Sequence, residues 1–126
     1  MNNKMVKKAS KAAATALKAD NQGYLGHETR SYSNLPEWIK ALNYCLAQSK
    51  KGRMVSSHEY AKLPHGNHYF RNHFAKNGEI LNRGIEVDKD WRTHPISGKR
   101  YRVYGIKRSA FNKALEILKN YDKSLG

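Results

Sequence analysis

Apolar positions beyond residue 33 keep a helical period up to about residue 81, then change to a period of two, and finally return to a helical one. Leu35, Trp38, Ile39, Leu42 and Leu46 lie on one helical face. Asn34 and Glu37 form a capping-box-like pair with Pro36 in the first turn, which predicts a first helix from about Leu35 to Gln48. Lys50, Lys51 and Arg53 surround Gly52 and end it, cations being suited to a helix C-terminus. Met54 and Val55 read as a short extended link. Ser56 with Glu59 is a second capping box, opening a short helix with Tyr60, Ala61 and Leu63 inward until Pro64 breaks it. Pro64, His65, Gly66 and Asn67 supply a turn, with Asn67 as cap of a third helix that buries Phe70 and Phe74. Asn77 and Gly78 can close that helix, or it can run on through Ile80 and Leu81 to Gly84; the sequence leaves both open.

After Gly84, Ile85 and Val87 alternate with Glu86 and Asp88, and Trp91 and Thr93 with Arg92. His94 to Gly98 form a turn, and Tyr101, Val103 and Gly105 alternate with Arg100, Arg102 and Tyr104 on the way back. This predicts a two-stranded β-hairpin. Ser109 is placed to cap a last helix with Phe111, Ala114, Leu115, Leu118 and Tyr121 on one face. Upstream, residues 20 to 33 carry glycine, asparagine and serine without periodicity and read as a linker partly tacked onto the domain. Residues 1 to 19 hold five lysines, no acid and an alanine run, which suits a basic arm that orders on nucleic acid. The expected division is a basic arm and linker over residues 1–33 and one domain, with its C-terminal helix, over residues 34–126.

The 126 residues carry 24 Lys and Arg against 10 Asp and Glu, a formal charge of +14 that favours a polyanionic partner. Cys45 is the only cysteine, which excludes an intramolecular disulfide and any multi-cysteine metal site. It reads as a small buried filler. No run approaches the ~20 apolar residues of a membrane span, so a soluble, cytoplasmic protein is expected. His65, His68 and His73 near Asn67 and Asn72 suggest the letters of His-Asn-His nucleases, but the spacing that such a site needs is lacking. His68 and His73, five apart, point away from one another on a helix. Glu86, Asp88 and Asp90 flank a strand and more simply balance nearby charge. No enzyme activity, cofactor or metal is expected.

The stretch Met54-Val55-Ser56-Ser57-His58-Glu59-Tyr60-Ala61, then Gly66, then Phe70 to Gly78, resembles the helix-turn-helix of winged-helix DNA-binding proteins, particularly small ones from phages and mobile elements. The wing would be Ile85 to Ile106. The resemblance covers roughly residues 34 to 106 and departs from the usual pattern at Phe70 and Phe74, where aliphatic residues are commoner, and in the turn at Pro64–Asn67. It implies an α+β, mainly helical fold: a winged helix-turn-helix of three helices, a two-stranded wing and a C-terminal helix. It also implies double-stranded DNA as partner, in transcriptional regulation or nucleoid-type DNA organisation.

With Phe70 and Phe74 inward, His68, Arg71, Asn72, Ala75 and Lys76 face outward. Arg71 suits guanine and Asn72 adenine, while His68 and Lys76 suit phosphate or base. In the hairpin, Arg92, Lys99 and Arg100 are the expected phosphate contacts, and Lys7, Lys8 and Lys11 of the arm add affinity without specificity. Trp91, Tyr101 and Tyr104 read as core and cross-strand packing rather than base-stacking platforms. Two other readings stay open: a phage or host interaction protein that modulates a polymerase or nuclease through the same scaffold, and an RNA- or ribosome-binding protein.

Overall fold

The computed structural model describes Leu25 and residues 30–125. A 3₁₀ turn at Arg30–Asn34 leads into α1 (Glu37–Lys50), β1 (Val55–Ser56), α2 (Ser57–Ala61), α3 (Phe70–His73), α4 (Glu79–Asn82), β2 (Val87–Thr93), β3 (Arg100–Ile106), a 3₁₀ turn at Arg108–Ala110 and α5 (Phe111–Leu125). The fold is a mixed α+β one, with several helices and an antiparallel three-stranded sheet, ordered β1-β3-β2, that does not close into a barrel. Among the described residues no helix is long and apolar enough to cross a membrane.

Helix α1 begins at Glu37, two residues later than expected. Pro36 occupies the N-cap with extended backbone angles, and a residue before proline is disfavoured in helical conformation, which keeps Leu35 out. Asn34 therefore ends the 3₁₀ turn and caps nothing. Instead of a one-sided apolar stripe, α1 is buried continuously from Trp38 to Gln48. Its polar residues survive burial because each has a partner. Asn43 accepts from the Leu25 amide at 2.9 Å and donates to the Leu25 carbonyl at 3.3 Å and the Tyr32 hydroxyl at 3.2 Å. Leu25 and Tyr32, from the stretch read as linker, thereby join the core. At the other end Gly52, with φ of +78°, closes the helix.

The sheet has one strand more than the expected hairpin. Val55 and Ser56 pair with Tyr104 and Val103, so the extended link is β1. Two residues carry no readable period. The hairpin has Trp91 opposite Arg102 and Thr93 opposite Arg100, and its turn holds Gly98 at φ +71°. Ser49 of α1 ties the helix to the sheet: its hydroxyl donates to the Cys45 carbonyl at 2.7 Å and accepts the Ile106 amide at 2.8 Å.

Ser56 caps α2 as expected, its hydroxyl accepting the Glu59 amide at 3.0 Å. The third helix differs from both expected versions. It is a single turn, Phe70–His73, followed after a break by a second single turn, Glu79–Asn82. Asn67 accepts the Tyr69 amide at 2.8 Å in an Asx turn and so acts before the helix rather than capping it. The break is enforced at Gly78, where a Cβ would lie 2.3 Å from the Asn72 carbonyl oxygen. The chain folds back on α3 there, and only glycine fits. Ser109 likewise does not cap the last helix, because it lies inside the 3₁₀ turn that precedes α5. The expected inner face of α5 is present, with Ala114 and Leu118 fully buried.

A one-turn helix has no stability of its own. Side chains hold α3 in place. Tyr60 contacts Phe70 (ring centroids 4.7 Å), Phe70 contacts Phe74 (4.7 Å), and Phe74 stacks on Tyr104 of β3 (5.4 Å). Phe70 and Phe74 are fully buried, as expected, and Tyr104 is buried with them. Trp91 and Tyr101 are not core: they are 45% and 40% exposed.

Two stability predictions follow from this packing. Phe74→Ala removes the ring that joins α3 to β3 and lowers unfolding free energy by about 3–5 kcal/mol in a urea titration. His73 is half-buried, its Nε2 has no hydrogen-bond partner, and burial holds its pKa below the ordinary value against the opposing pull of Glu37 and Glu79. The unfolded chain therefore binds the proton first as pH falls past about 6.5, and the native state loses stability on the acid side. Thermal midpoints at about pH 7.5 and 5.5 should converge in His73→Gln relative to the unmodified chain.

Candidate nucleic-acid interface

Strand alternation and the aromatic stack together build a cleft. Residues opposite one another across a pair of strands share a face, so Trp91, Arg102, Thr93 and Arg100 stand with Lys89 and Tyr104 on one side of the hairpin. Phe74 packs on Tyr104 from that side and brings Arg71 of α3 toward the same strands. The result is a cleft of about 360 Å³ between the hairpin and the α2–α3 region, lined by Arg71, Arg100, Arg102 and Trp91, with Tyr101 and Tyr104, and by Ser56, Ser57 and His58. No carboxylate lines it. Arg102 lies over the Trp91 ring at 4.5 Å from its centroid and Arg100 at 5.0 Å. These cation–π contacts hold two flexible side chains in the cleft while leaving their charge in place.

A second depression continues the basic face. Lys76, Lys89 and Lys107 line it beside Ile85, Glu86 and Val87. Lys89 and Trp91, two residues apart on one face of β2, join the two sites. Of the three lysines, Lys107 approaches a carboxylate, Glu86, at 4.0 Å.

Three acids that line neither site have partners of their own. Glu37 pairs with Lys40 at 2.9 Å, Glu79 with Arg83 at 3.4 Å, and Glu59 with Arg53 at 3.2 Å while accepting the Tyr44 hydroxyl. Burial and that carboxylate push the Tyr44 hydroxyl up to about 12, so it stays protonated and donating. None of Arg71, Arg100, Arg102, Lys76 and Lys89 forms an ion pair among the described residues. A concave site lined by one sign of charge focuses field and draws in the opposite charge.

The expected contact residues are divided by this geometry. Arg71 and Arg100 meet in the cleft, and Lys76 lies in the adjoining depression. His68 and Asn72 are exposed but line neither site, and Lys99 is exposed at the tip of the hairpin. Arg92 lies apart from the cleft. It lies opposite Tyr101, on the other face of the sheet, donates to Asp90, and reaches the Met54 sulfur at 3.8 Å. That hydrogen bond holds the Asp90 carboxyl below the usual carboxylate range. Lys7, Lys8 and Lys11 lie outside the described residues. Arg102, Trp91, Ser57 and His58 are the additions. The signal for the first two was present, since pairing the strands about the His94–Gly98 turn sets Trp91 across from Arg102.

Among the described residues no group of three or more His, Cys, Asp or Glu is arranged to hold a metal ion. His65 packs edge-on against Tyr32 with ring centroids 4.9 Å apart. Cys45 is wholly buried, and burial pushes its thiol up to about 12, far from the thiolate a nucleophile needs.

Comparison with known proteins yields no match, either to a protein-family model, to a curated protein or to a solved structure.

Proposed function

We propose that the chain is a DNA-binding protein with a winged-helix arrangement, in which α3 and the β2–β3 hairpin bear on one duplex, acting in transcriptional regulation or DNA organisation and catalysing no reaction. The observation that carries this reading is the meeting of Arg71 with Arg100 and Arg102 in a cleft without a carboxylate, at the place where a recognition helix and a wing would cooperate. Element order supports it as well: two short helices around a tight turn, then a hairpin, then a covering helix.

The length of α3 sharpens the mode of binding. Four residues rise about 6 Å, too little to lay a reading surface along a major groove. Arg71, set among other guanidiniums, is assigned to phosphate, and Asn72, exposed on the same turn, is the residue left to read a base edge. Affinity then comes mainly from the backbone and discrimination is modest.

Titration of duplex DNA at two salt concentrations tests this. Each phosphate neutralised adds about 0.9 to the slope of log affinity against log salt, so joint replacement of Arg71, Arg100 and Arg102 by alanine should lower that slope by about 2.7 on any sequence. Failure of the unmodified chain to bind duplex at low salt removes the proposal. Asn72→Ala should weaken binding to a selected site by about 1–3 kcal/mol and leave random duplex unaffected.

A further inference from the structure

We infer that Trp91 is a stacking platform for an unpaired base of single-stranded DNA, with the arginines of the cleft holding the flanking phosphates. This rests on the DNA-binding reading above and extends it to a ligand that reading does not require.

The placement of Trp91 is unusual for so large an apolar side chain. It is 45% exposed, although the same face of the sheet offers a buried aromatic stack two strand positions away at Tyr104. Strand β2 is the edge of the sheet, so β3 and its arginines lie to one side of Trp91 and no strand pairs on the other. The two guanidiniums lie over the indole at 4.5 and 5.0 Å from the ring centroid and the residue is 45% exposed, so a base takes the ring face by moving a guanidinium from the ring onto its own phosphate. An immobilised, exposed aromatic ring flanked by cations is the arrangement that binds single strands, where bases stack on the ring and the groove tracks the backbone.

Size decides between occupants. The cleft of about 360 Å³ is at the lower end of small-molecule sites, roughly 300–1,000 Å³, which suits one nucleotide and is far too small to enclose a duplex. A duplex can lie across the cations but presents its bases edge-on, with their faces already stacked. Away from its ends a duplex has no base face to offer Trp91, whereas an unpaired base does. Arg100 and Arg102 lie on the ring and Arg71 lines the same cleft, so a base on the indole brings its own phosphates toward three uncompensated cations. Ser57 and His58 add hydrogen-bonding groups to the lining.

The test compares a single-stranded oligo-dT of about a dozen nucleotides with a blunt duplex, followed by tryptophan emission and by anisotropy of labelled DNA. Trp38, the other tryptophan, is buried, so quenching by the single strand should come from Trp91. Trp91→Leu keeps apolar bulk and should lower the ratio of single-strand to duplex affinity by about tenfold and abolish the quench. Trp91→Phe, which keeps an aromatic face, should retain most of that ratio, and circular dichroism shows whether each variant is folded. An unchanged ratio in Trp91→Leu, a quench that persists in it, or a Phe variant as impaired as the Leu variant overturns the stacking inference while duplex binding stands. Absence of binding to either DNA by the unmodified chain overturns the DNA-binding reading itself.

Discussion

The row of rings from Tyr60 through Phe70 and Phe74 to Tyr104 is the contact on which the site depends. Helix α3 is one turn long and α4 is another, and nucleating a turn costs more than its few hydrogen bonds return. Neither would persist in isolation. Three ring contacts, each worth about 0.5–1.5 kcal/mol beyond the area buried, lock α3 between α2 and the base of the hairpin. Because Phe70 is the residue before Arg71, fixing the ring fixes the backbone from which the guanidinium extends. The same stack that forms the core also positions the cation on the opposite side of the turn, so stability and site geometry cannot be varied independently there.

A second constraint acts through α1. A helix buried on every side must satisfy its polar side chains, and Asn43 does so by clasping both backbone groups of Leu25 and the hydroxyl of Tyr32. Tyr32 is pushed up to about 12 chiefly by burial, which keeps that hydroxyl neutral. Leu25 and Tyr32 are thereby held against the core by hydrogen bonds rather than by apolar area alone. On the far side of α1, Ser49 receives the Ile106 amide and fixes the end of β3. The hairpin is thus anchored at its base, while its tip, from His94 to Lys99, extends into solvent.

What the sequence made legible follows from these interactions. Periods of 3.6 and 2 located the first helix, the hairpin and the last helix, because each is long enough to show a repeat. The Ser56 cap was legible because its partner is three residues away. The shape of α3 was not, since it depends on a carbonyl six residues before Gly78 that leaves no room for a Cβ, a contact without any local pattern. Strand β1 was missed for a related reason: two residues pair with β3 some fifty positions later. For the site, Arg71 and Arg100 were legible as outward cations, whereas the exposure of Trp91 was not. An indole in an alternating strand reads as packing unless it is known that the neighbours across the strand are arginines and that β2 is the sheet edge.

Net charge was the least specific feature and becomes informative only through its pairing. In the described residues Glu37, Glu59, Glu79, Glu86 and Asp90 all approach a cation, and four of those five cations lie outside the cleft and the depression beside it. Surface pairs of this kind contribute little stability. Their effect is on the local field: none of these carboxylates lines the cleft, and Arg71, Arg100 and Arg102 there, with Lys76 and Lys89 in the adjoining depression, have no ion-pair partner among the described residues. A chain with the same +14 and a carboxylate turned into the cleft would have the same isoelectric point and a weaker field there. Arg92 illustrates the distinction within a single strand. It is one residue from Trp91, yet alternation places it on the opposite side, where Asp90 takes its charge. The charge of the cleft is therefore specified as much by where the carboxylates are as by where the arginines are.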